Sequence, residues 1–171
     1  VLSYDKRTCT TKINSICNTN DQQDIEQAGI ISLARDLDQV YHFALSNLDA
    51  HHNEVRVVLM STTQGAETIA LSNNLQSISG VVLLSPVIGD LDTMWVSGLA
   101  KAAERSKSDS QRYQLHNRKE SMAGFFASLK KGDFPETANV KGATVKFWLS
   151  WVEASKNALS YYKRSNKPVF M

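Results

Sequence analysis

Apolar positions along this chain follow two rhythms. From Ile30 they recur at three- and four-residue steps through Leu33, Ala34, Leu37, Val40, Tyr41, Ala44, Leu45 and Leu48. That spacing predicts a helix with one face turned to a core. Residues 55–60 (VRVVLM) and 80–85 (GVVLLS) are instead short runs, continuously apolar after Arg56. Runs of this kind predict parallel strands covered on both faces. Residues 1–4 (VLSY) read as a further strand, 5–27 as polar loop and 49–54 as a polar turn. A helix is predicted over 66–73. Pro86 ends the second buried strand, and 89–92 form a turn. Further on, 94–105, 121–131 and 143–162 read as helices with no convincing strand among them, and KKGDFP at 130–135 breaks the last two apart. Residues 167–171 (KPVFM) begin another strand.

The alternation of strands and helices, followed by a long helical segment and a returning strand, predicts an α/β fold. Its parallel sheet has right-handed crossovers and helices on both faces. The sheet core occupies 1–92, a helical insertion 93–164, and the returning core strand 165–171. The strand at 55–60 is expected at the centre, between 1–4 and 80–85. In such sheets ligands sit beyond the carboxyl ends of the strands.

Composition narrows the class. A chain of 171 residues, 42% hydrophobic and 21% charged, is long enough for one domain with a proper core and typical of soluble globular proteins. A net charge of +2, with no basic stripe interleaved with aromatics, argues against nucleic acid as a partner. The apolar runs are too short for a membrane span. No Gly-rich phosphate loop follows a strand, so no nucleotide cofactor is expected. No metal is expected either: His51 and His52 are adjacent and point apart, and no His accompanies the cysteines. The first residues read as the inside of a strand and the last as the start of one, so the chain reads as the middle of a longer protein. Cys9 and Cys17 lie in a polar stretch, at a spacing that suits a small disulfide loop. Two free thiols are the alternative. A bridge would place the protein in an oxidising compartment, secreted or periplasmic.

The chemistry concentrates at residues 57–72, VVLMSTTQGAETIALS. A buried strand stops at Ser61, Thr62, Thr63, Gln64 and Gly65, and a helix follows directly. Strand, five-residue turn and helix is the layout of the nucleophile elbow, Gly-x-Ser-x-Gly. In that layout the small Ser61 and Gly65 let strand and helix approach closely, with Thr62 between. Thr63 takes the nucleophile's place at the tip, and the Gln64 amide can stabilise a developing oxyanion.

The order and spacing of several segments resemble the α/β-hydrolase superfamily, and more narrowly its secreted bacterial serine esterase- or peptidase-like members. VLSYDKRTC is similar to their strand followed by Tyr-Asp-Lys-Arg, VVLMSTTQGAETIAL to the elbow usually written Gly-His-Ser-Gln-Gly, and ISGVVLLSP to the next strand. The helical segment and the KPVFM strand are similar to the family's cap and the strand after it. The resemblance implies a partial α/β-hydrolase fold with a helical cap insertion, no cofactor, and a small-molecule or peptide substrate. It implies hydrolysis of an ester or amide bond by nucleophile, acid and His in that chain order. This sequence departs from the pattern at Thr63, which stands where Ser is usual. Such an elbow residue has φ > 0, which for a β-branched side chain is an outlier. The family's acid follows the strand that begins at Val169, and its His comes later. None of His42, His51, His52 and His116 matches. The chain as given is therefore expected to be inactive, with a non-enzymatic ligand- or partner-binding relative as the alternative.

Other polar and aromatic residues carry two readings each. Asp90 and Asp92 follow the strand at 80–85, either as an acid placed there in a minority of these hydrolases or as turn and helix-cap residues. Trp95, Phe125, Phe126, Trp148 and Trp151 either line a pocket or pack the helical segment against the sheet. Asp5 and Arg7 read as an ion pair bracing a loop, and His116 as part of a solvated helix face.

Overall fold

The computed structural model describes residues 11–13, 16–18, 29–47 and 55–171, the first two segments by backbone alone. The elements are β1 (Thr11–Ile13), β2 (Ile16–Asn18), α1 (Ile30–Ser46), β3 (Val58–Thr62), α2 (Gly65–Ala70), β4 (Gly80–Leu84), α3 (Leu91–Arg105), α4 (Asp109–Lys131), β5 (Asn139–Val140), β6 (Ala143–Thr144), α5 (Val145–Ser165) and β7 (Val169–Phe170). The fold is α/β. Among the described residues, a three-stranded parallel sheet of order β3-β4-β7 is flanked by helices, and α3 and α4 form a helical pair.

The expected order of strands and helices holds, with corrections. The strand expected at 55–60 runs instead over Val58–Thr62, because its ladder with β4 starts at Val58↔Gly80 and continues to Thr62↔Leu84. Among the described strands the middle one is β4, which pairs with β3 on one side and β7 on the other. Residues 1–4, expected beside β3, lie outside the described residues, as do Asp5, Arg7, His51 and His52. Nor are both faces of β3 covered: Val58 is 56% and Met60 68% exposed. Val57 and Leu59 face the other way and pack on a core built from α1, α2 and α5.

Elsewhere the helices differ in length from their apolar patterns. The α4 helix starts at Asp109 rather than Ser121, because Ser108 caps it by accepting from the Gln111 amide at 3.3 Å. Its early turns are solvated and carry no apolar rhythm. It ends at Gly132, φ 75°, with the Asp133 amide donating to the Ser128 carbonyl at 3.1 Å. The hairpin of β5 and β6 is a strand pair where none was expected. Lys141 and Gly142, both at positive φ, close it in two residues. Thr144 then caps α5, accepting from the Phe147 amide at 3.2 Å. β1 and β2 pair antiparallel within the stretch read as loop, with Lys12 opposite Cys17. Cys9 and the side chain of Cys17 lie outside the described residues, so the expected bridge does too.

The α5 helix joins two apolar clusters. Its first half meets α1, α3 and α4 in an aromatic group: Trp148 lies 5.2 Å from Phe125, 6.0 Å from Phe126 and 5.6 Å from Trp151, with Trp95 edge-on to both tryptophans. These five aromatics pack against one another. Its second half, through Ala158 and Tyr162, lies against α2 and the sheet.

The α2 helix is shorter than the predicted 66–73. Asp38 on α1 gathers the residues that would have continued it. One carboxylate oxygen accepts from Ser72 Oγ at 2.5 Å and Asn74 Nδ2 at 3.0 Å; the other accepts from the Asn73 amide at 3.2 Å and Asn73 Nδ2 at 2.8 Å. Burial works to raise the Asp38 pKa, but these bonds outweigh it and hold the carboxyl below its ordinary value.

Candidate functional site

The β3–α2 turn is built by close packing. A Cβ placed on Gly65 would sit 2.6 Å from Ser61 Cβ and 3.2 Å from Ser61 Oγ. Only glycine at 65 lets the helix start this near the strand it leaves. Ser61 Oγ is buried beneath the turn and has no hydrogen-bond partner. Its place is set by size, since a larger side chain would collide with the helix.

Between them the chain reverses at Thr63, at φ 43°. Four non-glycine residues among those described have positive φ. Lys141 closes a hairpin and Asn166 ends α5, both familiar settings for this conformation. Thr63 and Ser85 have no such setting. A β-branched residue in the left-handed region costs about 1–3 kcal/mol and persists only where its surroundings impose it. Here the ladder imposes it. The Thr63 amide donates to the Leu84 carbonyl at 3.2 Å, and the Thr63 carbonyl accepts from Ala66 at 3.2 Å. Thr63 is consequently exposed at the tip, at the carboxyl edge of the sheet. Gln64, φ −58°, opens α2. No described side chain hydrogen-bonds to Thr63 Oγ1.

The other sequence candidates lie elsewhere. Asp90 precedes α3, and its carbonyl accepts from the Met94 amide at 2.9 Å. Asp92 bonds to Lys130 at 2.5 Å, tying α3 to α4, and that ammonium holds the carboxyl below its ordinary pKa. His42 stands edge-on to Tyr41, and His116 lies on the exposed face of α4, 3.9 Å from Glu120. A cavity of about 490 Å³ between α3 and α4, touching Asp92, Val96, Phe126 and Lys130, does not reach the turn. Among the described residues no group of His, Cys, Asp and Glu is placed to hold a metal ion, and no helix is long and apolar enough to cross a membrane.

Glu67, four residues past Thr63, is a feature the sequence reading missed. It is 0% exposed, facing α5. Its Oε1 accepts from Trp151 Nε1 at 2.9 Å and Ser155 Oγ at 2.7 Å, while Oε2 has no partner. Tyr162 lies alongside, its hydroxyl donating to the Ala66 carbonyl. Burial raises the Glu67 pKa above its ordinary value, against the opposing hydrogen bonds. A glutamate one turn into a predicted amphipathic helix gives no sequence sign of burial. The only cue was its place beside the small residues Gly65 and Ala66.

A carboxyl whose folded-state pKa lies above the unfolded one stabilises fully below the unfolded value. That contribution is lost as pH rises through the folded value. Glu67→Gln keeps an oxygen for Trp151 and Ser155 and carries no charge. It is expected to be more stable than the parent at pH 8 by about 1–2 kcal/mol, with the difference shrinking toward pH 4. Urea unfolding of both proteins at the two pH values measures this; a parent as stable as the variant at pH 8 contradicts it.

In comparisons with known proteins, no family model, curated protein or solved structure matches the chain.

Proposed function

We propose that the chain is an α/β-hydrolase-like protein related to esterases and peptidases, with a nucleophile elbow at residues 61–65. The observation that carries this reading is Thr63: an exposed, left-handed β-branched residue at the tip of a strand–turn–helix whose two sides touch at Ser61 and Gly65. Strain of this kind concentrates at functional sites, and the carboxyl edge of a parallel sheet is where ligands bind. In this reading position 63 carries the acyl group and the Gln64 amide supplies half of an oxyanion hole. The ligand is a small molecule or peptide bearing an ester or amide, and the 93–164 segment is the cap.

The chain itself carries no triad-dependent hydrolysis. A hydroxyl is a weak nucleophile without an adjacent base, and no described His, Asp or Glu hydrogen-bonds to Thr63. That observation also supports a second reading, a hydrolase-like binding protein in which Thr63 marks lost chemistry. General-base help is worth about 10²–10⁴ in rate. The chain, Thr63→Ser and Thr63→Ala are therefore all expected to turn over short-chain aryl esters at background. Robust turnover abolished by Thr63→Ala would overturn the inactive reading.

A secreted or periplasmic location with a Cys9–Cys17 bridge belongs to the same proposal. The bridge is worth roughly 2–3 kcal/mol in the chain-entropy model. Thiol titration of protein made in an oxidising compartment is expected to find no free thiol; two free thiols contradict the bridge.

A further inference from the structure

Thr63 is not alone at the sheet edge. β3 and β4 run parallel with Thr62 opposite Leu84. The next residue of each strand is therefore Thr63 on one and Ser85 on the other, at adjoining strand ends. The ladder continues past the strand ends through the bond from the Thr63 amide to the Leu84 carbonyl, 3.2 Å. Both residues are left-handed, Thr63 at φ 43° and Ser85 at φ 51°. Both are exposed, and neither hydroxyl is used in a hydrogen bond with a described residue. Ser85 also precedes Pro86, a position that favours extended backbone. Hairpin closure and helix capping account for the other two residues of this kind, but not for this pair.

We propose that Ser85 is a ligand-positioning residue. Its hydroxyl and that of Thr63 form a two-point anchor for the two-oxygen head of an acyl compound, a carboxylate or an ester, at the carboxyl edge of the sheet. This rests on reading the β3–α2 turn as the ligand site. Two hydroxyls on adjacent strand ends offer two donors side by side, which suits an acceptor with two oxygens on one carbon.

The test is titration of the chain with butyrate, followed by backbone amide chemical shifts, for the parent, Ser85→Ala and Ser85→Gly. In the parent, the Thr63, Gln64 and Ser85 amides are expected to shift together with one dissociation constant. Ser85→Ala keeps the backbone and removes one charge-assisted hydrogen bond, so it should weaken binding about tenfold. Ser85→Gly relieves the backbone, so it should unfold at higher denaturant yet bind as weakly as Ser85→Ala. A purely structural role for Ser85 would not raise stability while lowering affinity. Shifts at Thr63 and Gln64 that are unchanged by Ser85→Ala would overturn the role of Ser85 and leave the turn as the site. No shift at any of the three would overturn both.

Discussion

Replacing Gly65 by Ala is expected to destabilise the protein by about 2 kcal/mol, and replacing Ser61 by Gly in the same chain to restore most of the loss. Helix propensity alone points the other way, since Ala is favoured over Gly by about 1 kcal/mol inside a helix. The contact decides the sign. The new methyl would lie 2.6 Å from Ser61 Cβ, a carbon fixed to the backbone of β3, and overpacking of this kind costs about 1–3 kcal/mol or more. For a chain of this size the net loss lowers the melting temperature by roughly 4–8 °C. Ser61→Gly removes the obstructing carbon and a buried hydroxyl that has no partner. It also adds strand flexibility worth about 0.5–1 kcal/mol, so alone it should be close to neutral. The double variant should lie near the parent. Thermal unfolding of the four proteins gives the coupling directly. A Gly65→Ala protein as stable as the parent would mean that strand and helix do not touch there.

Asp38→Ala is expected to cost about 3 kcal/mol. The carboxylate is the common acceptor for Ser72, Asn73 and Asn74. Ser72 and Asn74 are buried, so water does not readily replace it. A buried donor left without an acceptor costs about 1–3 kcal/mol, and the variant leaves more than one. Because the folded-state pKa of Asp38 is lowered, its contribution is present above the unfolded pKa and lost as pH falls through the folded one. The gap between parent and Asp38→Ala should therefore be full at pH 7 and narrow in acid; it is opposite in sign to that of Glu67→Gln, where the variant is the more stable protein and the gap likewise closes in acid. Urea unfolding at pH 7 and pH 3 checks both magnitude and trend. A gap that does not narrow in acid would show that the methylene's packing, not the charge, is what matters.

Local signals carried much of this fold. The apolar runs placed β3 and β4 within a few residues, and the three-four spacing from Ile30 placed α1. Ser61 and Gly65 marked the close approach because small residues at that spacing have one steric use. What the sequence concealed depends on partners distant in the chain. Among the described strands, the pairing that puts β4 in the middle is set by residues 169–170. The shortening of α2 is set by Asp38, and the early start of α4 by a single cap at Ser108. The burial of Glu67 depends on Trp151 and Ser155, more than eighty positions away. Ser85 reads in sequence as the polar end of a strand before a proline. Its left-handed backbone and its place beside Thr63 emerge only from the parallel register.

In the proposed reading, residue 63 stands where a nucleophile would. The most direct test is covalent labelling of the natural protein, as Thr63→Ser and as Thr63→Ala, by an alkyl fluorophosphonate. The serine oxygen forms a bond to phosphorus as fluoride leaves, and peptide mass mapping locates the adduct. One adduct is expected, at position 63 of the Thr63→Ser protein, and none in the Thr63→Ala protein. No adduct at position 63, or labelling at another residue unchanged by Thr63→Ala, would contradict that reading.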